Sequence, residues 1–79
     1  MGKPSYNEFR NVVYKKYMAR MKSYDQDEVK EYFKSEEATQ EIRNAYEYDS
    51  KRYDEGKLSE EIFVGDAANS VANCLTMMF

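Results

Sequence analysis

The sequence contains no histidine and a single cysteine, Cys74. Without histidine, neither a Ser-His-Asp nor a Cys-His catalytic arrangement can be assembled, and the usual general base near neutral pH is missing. One cysteine cannot complete the ligand sets of zinc, haem or iron–sulfur sites. It cannot form an intrachain disulfide either, which fits a reducing cytoplasm. The three glycines, Gly2, Gly56 and Gly65, are too scattered to make a phosphate-cradling loop. Pro4 is the only proline, and no Pro/Ser/Gly-rich linker divides the chain. No apolar run exceeds three residues, whereas a membrane-spanning helix needs about 20. No basic leader followed by an apolar stretch opens the sequence, so a cytoplasmic protein without a secretory signal is expected. These absences point to a protein with no cofactor and no metal that binds rather than catalyses.

What is present describes one small helical domain, residues 1–79. A chain of 79 residues allows no second domain, and it buries only about 60% of its unfolded surface. With 42% hydrophobic and 34% charged residues, it is too apolar for a disordered chain. β-Branched residues are few and never alternate with polar ones, so strands are not expected.

Helix start signals recur instead. Ser5 and Glu8 form a capping box, and Phe9, Val13, Tyr17 and Met21 follow at four-residue spacing, so a first helix is expected to about Lys22. Asp25 and Glu28 repeat the box, with Tyr24 and Val29 spaced as a hydrophobic staple. A short second helix carrying Val29, Tyr32 and Phe33 should end near Lys34. Ser35, Glu36 and Glu37 begin a third helix with the stripe Ala38, Ile42, Ala45, Tyr46 and Tyr53. At about 100° per residue the apolar stripe rotates by roughly half a turn across Ser35, which predicts a break there. Gly56 is placed to end the third helix as a C′ glycine. Ser59 opens a fourth, with Leu58 and Phe63 as its staple. Its predicted stripe is Phe63, Val64, Ala67, Ala68, Val71, Cys74, Leu75 and Met78, which would make Cys74 a small buried hydrophobe. Gly65, Ala68 and Ala72 would let a neighbouring backbone approach closely. The expected architecture is all-α: a compact bundle of four helices, three long and one short, with short connections.

Lys51, Tyr53, Gly56, Leu58 and Ile62 fall on the frame of a calcium-binding EF-hand loop. Lysine, tyrosine and isoleucine then stand at the first, third and twelfth positions, where calcium requires oxygen ligands, so the frame is vacant of chemistry. The same residues are explained by one helix stopping at Gly56 and the next starting at Ser59.

Charge is unevenly distributed. Residues 1–23 hold six basic residues and one acidic residue, and residues 24–79 hold six basic and fourteen acidic. A basic first helix bearing Arg10, Lys15 and Lys22 could contact nucleic acid. The overall pI near 4.9 opposes a phosphate backbone, and packing of the basic helix against the acidic remainder ranks first. Asp49 falls inside the apolar stripe of the third helix and needs a partner. Arg20, within the apolar face of the first helix, is the expected one. Tyr48 lies off its stripe and is the candidate exposed aromatic, since tyrosine is enriched at interfaces.

The leading expectation is a non-catalytic protein–protein interaction module: an adaptor, an inhibitor or an accessory protein of a mobile element, with an unspecified protein partner. A nucleic-acid accessory role for the first helix is the alternative from another class. A third is a self-assembling homodimer formed through the C-terminal helix, where Met77 and Phe79 extend an apolar surface.

Overall fold

The computed structural model describes residues 2–79. Of the described residues, 78% are helical, and none is in a strand. The helices are α1 (Tyr6–Arg20), α2 (Gln26–Phe33), α3 (Glu36–Asp54), α4 (Glu60–Ile62) and α5 (Ala68–Met78), with a π segment, Phe63–Ala67, joining the last two. Residues 60–78 run on without a break, so α4, the π segment and α5 together are the fourth helix of a four-helix bundle. It extends over 40 × 21 × 19 Å.

The caps explain the boundaries. At α1 the Ser5 hydroxyl accepts from the Glu8 backbone N–H at 3.1 Å, and the Glu8 carboxylate accepts from the Ser5 N–H at 3.1 Å. This closed box satisfies two of the amides that a helix start leaves without partners. At α2 the Asp25 carboxylate accepts from the amides of Asp27 and Glu28. Ser35 sits in an extended conformation and caps α3 through Ala38, so the break expected at Ser35 is present. Gly56 has φ +75°. The Lys57 N–H donates to the Arg52 carbonyl at 2.9 Å and the Gly56 N–H to the Tyr53 carbonyl at 3.0 Å. That pair of bonds is a Schellman stop, and it requires the left-handed conformation that glycine adopts without strain.

Local structure departs from expectation at several places. Tyr24, which precedes the α2 cap, is 53% exposed and its ring sits against Phe79 at 5.7 Å. The fourth helix is not regular. A π turn repeats at i+5 rather than i+4, so Phe63 comes round with Ala68, and the buried stripe continues through Val71, Ala72 and Leu75. Cys74 and Met78, expected on the buried face, are thereby left exposed. Gly65 makes no close approach: a Cβ built there would meet nothing within 4 Å.

One apolar core joins all the helices, from Phe9, Val13 and Tyr17 through Val29, Phe33 and Ile42 to Phe63 and Leu75. Phe9, Tyr46 and Phe63 pack with ring centroids 5.4–5.6 Å apart. Tyr14 and Tyr17 hold Phe33 at 4.8 and 5.5 Å. The segment before α1 is tied to α3: the Tyr46 hydroxyl donates to the Pro4 carbonyl at 2.7 Å, and Lys3 Nζ donates to Ser50 and pairs with Asp54.

Candidate interaction surfaces

α1 packs most extensively on α5. Since α5 carries no charged side chain, α1 buries its apolar stripe without giving its cations carboxylates to pair with. Among the described residues, none of Arg10, Lys15, Lys16, Arg20 and Lys22 lies within ion-pair distance of a carboxylate. Lys15 and Lys22 are exposed, whereas Arg10 is half-buried with its guanidinium 4.7 Å from the centre of the Phe33 ring. Close pairing of the basic helix with the acidic remainder, as charge asymmetry alone suggested, therefore does not occur. Burial of apolar surface decided the docking of α1, and its cations were left without carboxylate partners.

The expected ion pair between Asp49 and Arg20 is not formed. Arg20 Nε donates to Asn73 Oδ1 at 2.9 Å, Nη1 to the Lys16 carbonyl at 2.9 Å, and Nη2 to Asn69 Oδ1. The guanidinium is thus satisfied by the polar edge of the fourth helix. Asp49 is buried as expected, at 7% exposure, but its cation is Arg52, one helical turn ahead, with Nη1 at 3.6 Å. Spacing of i, i+3 brings the two side chains together on one helix, with no need for a partner from α1. Burial pushes the Asp49 carboxyl pKa up, and the Arg52 charge opposes that shift.

Tyr48 is exposed at 65%, with the Arg52 guanidinium 5.6 Å from its ring centre. It borders a shallow open depression with Lys51, Arg52, Glu55 and Lys57. Two of its three cations are already paired, Lys57 with Glu55 at 3.3 Å and Arg52 with Asp49 at 3.6 Å.

The apolar end of the molecule lies elsewhere. Phe79 is 41% exposed and its ring stands 5.7 Å from both Tyr24 and Tyr32. The Tyr32 hydroxyl donates to Glu37 Oε1 at 2.9 Å. Burial first, and the Glu37 carboxylate second, push its pKa up to about 12. Met77 is 86% exposed; two residues from Phe79, it projects to a different side of the helix. Periodicity points to Met77 and Phe79 and not to Tyr24, which stands at staple spacing before the α2 cap. Exposed tyrosine beside a C-terminal phenylalanine is visible only once the loop between α1 and α2 is folded back.

The fold defines a small all-α bundle. No family model matches the chain, and no curated protein or solved structure shows significant similarity to it.

Proposed function

We propose that this chain is a small non-catalytic protein–protein interaction module whose contact face is the C-terminal end of the fourth helix. The observation that carries the reading is the exposed pair Tyr24 and Phe79, whose rings meet at 5.7 Å, with Met77 and Met78 exposed on the same last turn of the helix. Soluble surfaces seldom leave several large apolar side chains together in water without a use for them. Tyrosine, phenylalanine and methionine are also the residues that protein interfaces favour. A second copy of the chain is the partner to test first, through a two-fold contact in which the same surface serves both subunits.

Light scattering over a concentration series tests this. The wild type is expected to gain mass towards a dimer, and replacement of Met77 and Phe79 by Ser is expected to return it to monomer while circular dichroism stays helical. A wild type that remains monomeric at high micromolar concentration rules out the second copy and leaves this face to a different protein.

A further inference from the structure

A groove between α1 and α2 is lined by Arg10, Asn11 and Tyr14 on one side and by Lys30, Phe33 and Lys34 on the other. It lies apart from the C-terminal cluster and stands independently of the interaction reading. Three cations line it and no carboxylate does. Asp27 and Glu31 precede Lys30 and Lys34 by one turn on α2, yet neither reaches ion-pair distance among the described residues. Lys30 and Lys34 are also spaced i, i+4, where like charges repel and cost helix stability. Arg10 is held in place by the Phe33 ring at 4.7 Å, so its position does not have to be fixed when a ligand arrives. Asn11 and Tyr14 add neutral groups able to donate hydrogen bonds.

We infer that this groove binds a dianionic phosphate group. Three cations lining one groove overmatch a single carboxylate, whereas two negative charges on one tetrahedral centre nearly balance them and accept from several donors at once. A nucleic-acid backbone fits less well. Its further phosphates would lie against a chain of net charge −3, on a helix that also carries Asp27, Glu28 and Glu31. A single phosphate asks for no contact beyond the groove.

The test is an amide-shift titration of the isotope-labelled protein with sodium phosphate, and with sodium chloride at matched ionic strength. Phosphate is expected to give saturable shifts centred on Arg10, Tyr14, Lys30 and Lys34, and chloride none. Lys30→Gln with Lys34→Gln, both exposed positions, is expected to weaken binding by roughly tenfold or more, the size of one lost charge-assisted hydrogen bond. Arg10→Gln should do the same, and Lys51→Gln should leave binding unchanged. A short phosphoserine peptide identifies the source: binding tighter than inorganic phosphate assigns the group to a phosphorylated protein, and equal binding assigns it to a small phosphate. Shifts that fail to saturate, or that persist in the double variant, overturn the site. An oligonucleotide that binds more tightly than both phosphate probes overturns the single-group assignment.

Discussion

The Tyr17 hydroxyl donates to the Val29 carbonyl at 2.9 Å, with both residues fully buried. This bond fastens the last turn of α1 to the first turn of α2 across the loop between them. Tyr6 presents the opposite situation: its hydroxyl oxygen is buried without a hydrogen-bond partner, although its ring packs against Tyr46 and under Arg43. Tyr17→Phe is expected to destabilise by about 1 kcal/mol, the usual net worth of a buried hydrogen bond. Tyr6→Phe is expected to be neutral or stabilising, because it removes a polar group that burial left unsatisfied. Urea denaturation of both variants checks this, and equal losses of stability would contradict it.

Asp49 gives a pH dependence of defined sign. Its carboxyl pKa is raised by burial, so the folded state holds the proton more tightly than the unfolded chain. Between the ordinary carboxylate value of 3.8 and the raised one, folding takes up protons, and this group's contribution to stability falls as pH rises through that window. Below it the penalty is absent, and above it the penalty is complete. Asp49→Asn is therefore expected to be more stable than wild type at pH 7, with the advantage shrinking as pH falls through the window. Thermal melts of the two proteins across pH 3 to 7 decide the matter (a range chosen around the usual carboxylate values); an advantage independent of pH would show that the carboxylate's charge is not the cause.

The two internal glycines should respond in opposite directions. Gly56 occupies φ +75° with open space around it, so Gly56→Ala suffers only backbone strain, about 1 kcal/mol. Gly65 lies in the π segment without a positive φ and with nothing near its missing Cβ. Gly65→Ala is expected to stabilise by about 0.5–1 kcal/mol through reduced freedom of the unfolded chain. Denaturation midpoints that move in the same direction for both would refute one of the two assignments.

Cys74 is expected to react with a thiol reagent such as 5,5′-dithiobis(2-nitrobenzoate) in the native protein, because its side chain is exposed. The reaction should go to completion without denaturant. Reaction only after unfolding would restore Cys74 to the core and remove the register shift that the π segment introduces.

The number of helices and their starts were legible in the residues themselves. Ser5, Asp25, Ser35 and Ser59 all cap their helices, although the reciprocal box closes at Ser5 and not at Asp25, because a cap is a local arrangement complete within four residues. The stop at Gly56 and the break at Ser35 are local in the same sense. Even the burial of Asp49 followed from periodicity alone. The π segment did not, since one inserted residue leaves composition and spacing unchanged while rotating everything after it. That rotation decided which side of the fourth helix Cys74 and Met78 occupy. Pairing between elements was equally hidden. Arg20 took Asn69 and Asn73, because the helix faces that meet are selected by the whole core, and this left Asp49 to Arg52 on its own helix. The groove between α1 and α2 joins Arg10 to Lys30 and Lys34, which lie twenty and more positions along the chain. Charge and cap chemistry were thus written in the sequence, and only the packing of α1 against its neighbours brought those charges to one place.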